Sequence, residues 1–179
     1  MDLRSTKLSS GRIVLTAFRA EDAAEIFAAV TPAVTRLMSF EPSPSLAAFA
    51  EIWRQWLPQM AAGSAVFLVV RTNTTGELLG VAGLHGVDGD EPETGIWIKE
   101  TAQGRGYGRE AIALIVAWAS VSFGARGLRW PVAEANGPSR RLAESLGGKI
   151  VGHGRLLKPL GIEYTEVIYR IPAAFRSRT

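Results

Sequence analysis

The segment GIWIKETAQGRGYGREA, residues 95–111, reads as the end of a strand, a glycine-rich turn and the start of a long helix. Gly104, Gly106 and Gly108 stand at alternate positions, which lets the backbone turn tightly and come close to a ligand. A helix starting here offers free N–H groups and a positive dipole end, which together suit a phosphate or pyrophosphate. Arg105 and Arg109 add cationic side chains beside the turn. On the glycine pattern alone, a plain strand-to-helix turn without a ligand stands equally open.

Two familiar phosphate loops do not fit. A P-loop needs Gly-Lys-Ser/Thr, and the chain has Gly108-Arg109-Glu110. A dinucleotide fingerprint needs its third glycine further along than Gly108, and its ribose-binding acid about 20 residues on. Glu134, the acid available for that role, comes later. Dinucleotide binding is kept as an alternative that a ligand screen decides.

Outward from this segment, periodicity and punctuation give the order of elements. Arg12–Phe18 alternates as a strand, and Glu21–Val30 carries a helical apolar stripe at Ile26, Phe27 and Val30. Ser45 caps a second helix bearing Leu46, Phe49, Ile52, Trp53 and Trp56, which Pro58 ends or kinks. AVFLVVR, ELLGVAGLHG and TGIWIKE, separated by turns at TNTTGE and VDGDEP, form an antiparallel meander. A helix over Gly106–Phe123 closes at Gly124. Then come a strand at Leu128–Ala133, a helix at Pro138–Leu146 stopped by Gly147-Gly148, and strands at Lys149–Leu156 and Glu163–Ile171. The order β-α-α-β-β-β-α-β-α-β-β predicts an α/β fold (α+β by some schemes): a mixed, mostly antiparallel sheet of about seven strands with helices on both faces.

Composition narrows the partners. The chain has 179 residues, 47% of them hydrophobic and 21% charged, which suits one globular domain over residues 1–179. Its net charge of +3 is spread out and not gathered into a basic run, so nucleic acid is not an expected partner. It has no cysteine, which excludes disulfides, thiolate metal sites and a cysteine nucleophile. Neither a signal peptide nor a membrane-length apolar run is found, so the expected location is the cytoplasm.

Gln103-Gly-Arg-Gly-Tyr-Gly108 resembles the Gln/Arg-x-x-Gly-x-Gly/Ala motif of GNAT acetyltransferases, matching at Gln103, Gly106 and Gly108. Glu93-Thr-Gly-Ile-Trp-Ile98 resembles the strand beside pantetheine in that family. Asn136-Gly-Pro-Ser-Arg-Arg-Leu-Ala-Glu-Ser-Leu-Gly147 resembles the Asn-x-x-Ser-x-Arg helix of the branch that acetylates ribosomal-protein N-termini. The resemblance spans Leu8–Ile171. It implies acetyl-CoA as cosubstrate, with no metal, and transfer of acetyl to a primary amine by direct attack on the thioester. The pyrophosphate would lie on the N–H groups of Gln103, Gly104, Arg105, Gly106, Tyr107, Gly108 and Arg109. Ile96, Trp97 and Ile98 would lie along pantetheine, with Asn136 and Ser139 facing pantetheine and sulfur. A splay between the Glu93–Ile98 strand and Leu128–Ala133 would admit the thioester.

Transfer needs a neutral amine, a stabilised oxyanion and a protonated leaving thiolate. Glu93, matching the family acid on its strand, is the first candidate for base, and its alternative is a solvated residue at a strand start. His85 is the second candidate, since an imidazole titrating near 6.5 suits a base, and His153 ranks below it. Backbone N–H groups of Trp97–Ile98 are the expected oxyanion donors. Where many members carry a tyrosine that protonates the thiolate, this chain has Ala143, so Ser139 takes that expectation, with a helix N-cap as its plainer role. The aromatic that usually follows Leu-Gly is replaced by Gly148. Glu110 is expected to stabilise the helix dipole, and Trp53, Trp56 and Met60 to wall the acceptor site or pack the core. A non-catalytic acyl-CoA sensor is the rival function. The acceptor loops Ser39–Ser45 and Lys158–Glu163 leave the amine unidentified, as between a protein N-terminus and a small molecule, and a homodimer stays open.

Overall fold

The computed structural model describes residues 1–89, 91–158 and 161–173. Residue 90 of the expected VDGDEP turn lies outside them, as do residues 159–160 of the expected acceptor loop and 174–179 of the expected domain. The chain opens with β1 (Lys7–Ser9), paired antiparallel to β2 (Ile13–Ala17). On β2, Ile13, Leu15 and Ala17 are all buried, as their spacing predicts. Four helices follow: α1 (Ala23–Ala29), α2 (Pro32–Thr35), α3 (Leu46–Trp53) and α4 (Trp56–Ala62). The meander is β3 (Ala65–Thr72), β4 (Leu78–His85) and β5 (Glu93–Ile98). After α5 (Tyr107–Phe123) come β6 (Gly127–Ala133), α6 (Gly137–Ser145), β7 (Lys149–Leu157) and β8 (Glu163–Pro172).

One eight-stranded sheet holds all of these strands in the order β1-β2-β3-β4-β5-β6-β8-β7. The eighth strand is β1, whose three residues are too few for a period to show. Every neighbouring pair is antiparallel except β5–β6, which the α5 crossover makes parallel. Residues Ala65–Val70 of β3 are buried throughout because helices cover both sheet faces. Trp56 of α4 stacks on Phe67, which lies opposite Gly83 and shares a face with Gly95. The other parity of β5 faces α5, where a Cβ on Gly108 would lie 3.6 Å from Ile98 Cγ1.

Two helix expectations are corrected. The helix predicted from Ser45 through Trp56 is two helices, with the break at Arg54–Gln55. Pro58 enforces it, since its ring would strike the carbonyl four residues back, at Arg54, in a continuous helix. In the first turn of α4 its missing N–H costs nothing. The short α2 had no legible stripe. It begins at Pro32 and is capped by Thr31, whose Oγ1 accepts from the Val34 N–H at 3.2 Å. Among the described residues no helix is long and apolar enough to cross a membrane.

Candidate active site

β5 and β6 meet at one register pair, Glu93 with Arg129, where the Arg129 N–H donates to Pro92 O at 2.9 Å. Beyond it the strands part. On its other side β5 is fully paired to β4, and the Lys99 N–H donates to Leu79 O at 2.8 Å. Since strand backbone groups alternate in direction, Trp97 spends its N–H on β4 while those of Ile96 and Ile98 face the gap. This narrows the expected oxyanion donors: Trp97 is not available, and the open N–H groups are Ile98 and, deeper in, Ile96. On β6 the residue whose N–H would face the gap is Pro131, so the strand cannot zip closed there. The result is an open sheet edge that can take an extended, amide-bearing ligand as an added strand.

The glycine turn closes the mouth of this gap. Gln103 Nε2 donates to Ile98 O at 2.8 Å, which pins the turn to the strand end. Gly104 (φ 73°) and Gly106 (φ 81°) are left-handed, and Gly106 caps α5. The first helical bond runs from the Glu110 N–H to Gly106 O at 3.1 Å, so the N–H groups of Tyr107 and Gly108 open a 17-residue helix without a partner inside it. Arg12, read in the sequence only as the start of a strand, braces this turn. Its Nη1 donates to Arg105 O at 3.2 Å, its Nε to Glu110 Oε2 at 2.7 Å, and it lies 5.0 Å over the Tyr107 ring. Burial pushes Glu110 up, but the Ser10 hydroxyl and Arg12 guanidinium outweigh it and hold its carboxyl below the ordinary value.

Across the gap, α6 brings up Asn136 and Ser139. The N-cap is Asn136, whose Oδ1 accepts from the Ser139 N–H at 3.2 Å, and not Ser139 as the plainer expectation had it. That frees the serine side chain. Ser139 Oγ accepts from Trp130 Nε1 at 3.2 Å, which leaves its O–H proton available to donate into the cavity.

On the opposite face of the sheet from α5, His85 of β4 and Glu93 of β5 are direct register partners. The His85 ring packs edge-on to Phe67 at 5.2 Å and lies against Gly83, where an added Cβ would come within 2.7 Å of Nε2. Desolvation lowers the His85 pKa, and the nearby Glu93 charge partly opposes this. Glu166 of β8, which the sequence analysis missed, points over Gly154 on the same side. Burial and the Glu93 charge push its carboxyl up, while Arg129 pulls it down. Neither the Glu93 nor the Glu166 carboxylate has a hydrogen bond or a salt bridge within 4 Å among the described residues. The signal for Glu166 was its parity on the last strand, legible only once the register with β6 is known.

A single cavity of about 1180 Å³ joins these groups, running from the glycine turn past the gap to the face covered by α1–α4. It takes in Ile96, Trp97, Ile98, Gln103, Gly104, Gly106, Tyr107, Gly108, Arg109, Asn136, Ser139, His85 and Glu93; Arg105 lies in the turn but off the lining. Trp56 lines it, whereas Met60 is wholly buried in the core and Trp53 packs 5.6 Å from Phe18. His153 lies on β7 away from the lining. At the far end Lys158, its side chain 4% exposed, pairs with Glu41 at 2.6 Å and donates to Thr35 O at 3.1 Å. The two expected acceptor loops are thereby tied together.

A family model described as an acetyltransferase (GNAT) domain matches residues 12–149. Among solved structures, the chain is similar to Mycobacterium smegmatis RimJ in complex with CoA-disulfide (18% identity, TM-score 0.81, 94% of this chain and 88% of that one). It is also similar to a Vibrio cholerae spermidine N-acetyltransferase in complex with CoA and spermine (18%, 0.78, 93% and 99%). A third is a Vibrio cholerae protein provisionally assigned as a ribosomal-protein-serine acetyltransferase (16%, 0.79, 94% and 98%). At these identities the likeness is one of fold. No curated protein matches the chain in sequence.

Proposed function

The chain belongs to the GNAT acetyltransferase family, and we propose that it transfers acetyl from acetyl-CoA to a primary amine by direct attack on the thioester. The observation that carries this is the gap between β5 and β6, open on the Ile96–Ile98 edge with the N–H groups of Tyr107 and Gly108 at its mouth. The turn from Gln103 to Arg109 takes the pyrophosphate, and the Ile98 N–H and C=O edge takes a pantetheine amide. Trp97 floors the channel from the sheet. Acetyl-CoA is supplied in the cytoplasm, and the reaction is set there.

Glu93 draws a proton from the incoming ammonium, directly or through one water, with His85 the second candidate for that step. The neutral nitrogen then attacks the carbonyl carbon, and the Ile96 N–H faces the oxygen on which negative charge develops. The carbon–sulfur bond breaks, and the Ser139 hydroxyl donates a hydrogen bond to the leaving sulfur. The remaining amine proton passes to sulfur, so free thiol and N-acetyl amine leave. Asn136 holds the first turn of α6, and with it Ser139, against the gap. Ala143, where many members carry a tyrosine, is fully buried, so the sulfur depends on Ser139.

Titration calorimetry with acetyl-CoA, followed by thiol release against an amine panel, tests the proposal. Binding with release on adding one amine class is the expected result. Binding without release from any amine would favour the acyl-CoA sensor, and no binding would overturn the assignment. A thermal shift with NAD in place of CoA would revive the dinucleotide alternative.

A further inference from the structure

The wall of the cavity beyond the gap is a run of aromatic rings. Phe27 stacks on Phe49 at 6.5 Å, Phe49 meets Trp56 edge-on at 5.8 Å, and Trp56 stacks on Phe67 at 4.3 Å and 10°. Phe67 then meets His85, and all of these rings line the cavity. The run therefore leads from the outer surface of α1 and α3 to the point where His85 faces Glu93. Val34 and Met38 add apolar surface along it.

Two of the three carboxylates that line the cavity stand at its inner end. Glu93 and Glu166 stand there with Arg129, two carboxylates to one guanidinium. Along the wall formed by residues 23–62, the charged lining residues are Arg36 and Glu41, and Glu41 is engaged by Lys158. A ligand with one ammonium and an apolar body meets complementary surface at both ends. A polyamine would find no unpaired carboxylate for its second ammonium along that wall, only ring faces, the weaker partner, and the like charge of Arg36. A polar peptide would leave its amides without partners on that wall, which is costly once water is excluded.

We propose that the acceptor is a small primary amine on an aromatic or long apolar body, with Glu166 the residue that draws its ammonium to the thioester. The body lies along the rings from Phe27 to Phe67, and the nitrogen lies between Glu166 and Glu93. Glu166 acts in binding, so its removal raises the amine KM and not the acetyl-CoA Kd. This rests on the acetyltransferase reading.

The test uses the full-length protein and acetyl-CoA, with thiol release measured for 2-phenylethylamine, hexylamine, spermidine and a Ser-initiated polar peptide. The two apolar amines should exceed the others in kcat/KM by about 10-fold or more, since aromatic and methylene contacts discriminate on that scale. Glu166→Gln should raise the 2-phenylethylamine KM by about 10-fold while calorimetry gives the parent acetyl-CoA Kd, in keeping with the loss of a charge-assisted contact. Preference for spermidine or the peptide, or an unchanged KM in Glu166→Gln, would overturn the proposal and leave the acetyltransferase reading standing. Failure to bind acetyl-CoA, or release with no amine of a wide panel, would overturn both.

Discussion

His85 and Glu93 face each other across neighbouring strands at the closed end of the β5–β6 gap. Their coupling has a measurable sign. Desolvation places the imidazole below its ordinary 6.5, and the Glu93 charge raises it part of the way back. Glu93→Gln should therefore move the His85 titration, followed by NMR, to still lower pH. A rise or no change would mean the two groups do not interact. Because the unfolded chain protonates this histidine first, its contribution to stability is present above 6.5 and declines as pH falls toward the folded value. If Glu93 is the base, Glu93→Gln should lower kcat by about 100-fold, within the range of general base catalysis, and His85→Gln by much less. The opposite ranking would move the role to His85.

The hydrogen bond from Gln103 to the Ile98 carbonyl fixes where the glycine turn leaves the strand. The bond is exposed, so Gln103→Ala should cost little stability. It should weaken acetyl-CoA binding by roughly 3–10-fold, the scale of one net hydrogen bond, with kcat unchanged at saturation. Gly106→Ala is the harsher change. Its φ of 81° strains any L-residue by about 1–2 kcal/mol, so the melting temperature should fall by roughly 2–8 °C along with cofactor affinity. Calorimetry and a thermal melt separate the two variants.

The glycine turn was legible because both of its features are local. Three glycines and the apolar stripe of α5 sit within one stretch, and the same holds for β2, where alternation alone picks the buried side. Such signals survive without knowledge of the rest of the chain. Arg12, Arg129 and Glu166 were missed because their meaning depends on strand order. Arg12 reaches the glycine turn only because β2 lies where α5 begins, and Glu166 joins Glu93 only because β8 is inserted beside β6. The break between α3 and α4 was read one turn late, since the clash that Pro58 makes lies upstream of the proline itself.

Ser139 and Trp130 make a second separable pair. The indole N–H holds the serine oxygen, leaving the hydroxyl proton to donate into the cavity, where the proposed reaction would place the sulfur. Ser139→Ala should reduce kcat by about 10-fold or more while acetyl-CoA binds as before, because the contact matters as charge leaves on sulfur. Trp130→Phe should show a smaller loss of the same kind, with a stability cost because Trp130 is buried. A KM effect alone in Ser139→Ala would show the hydroxyl to be a binding contact with no part in the chemistry.

The ion pair between Lys158 and Glu41 is lopsided, and the asymmetry predicts which partner matters more. The Lys158 side chain is 4% exposed and Glu41 is 31% exposed. Glu41→Ala leaves an ammonium buried with only the carbonyls of Thr35 and Arg36 for company, a loss of about 3 kcal/mol at the low end for a broken buried pair. Lys158→Met removes the buried charge itself and leaves a carboxylate that water can reach, so it should cost less. Thermal melts of the two variants should therefore rank Glu41→Ala below Lys158→Met. The reverse order would mean that the lysine stem, and not its charge, holds the loop after α2 against the end of β7.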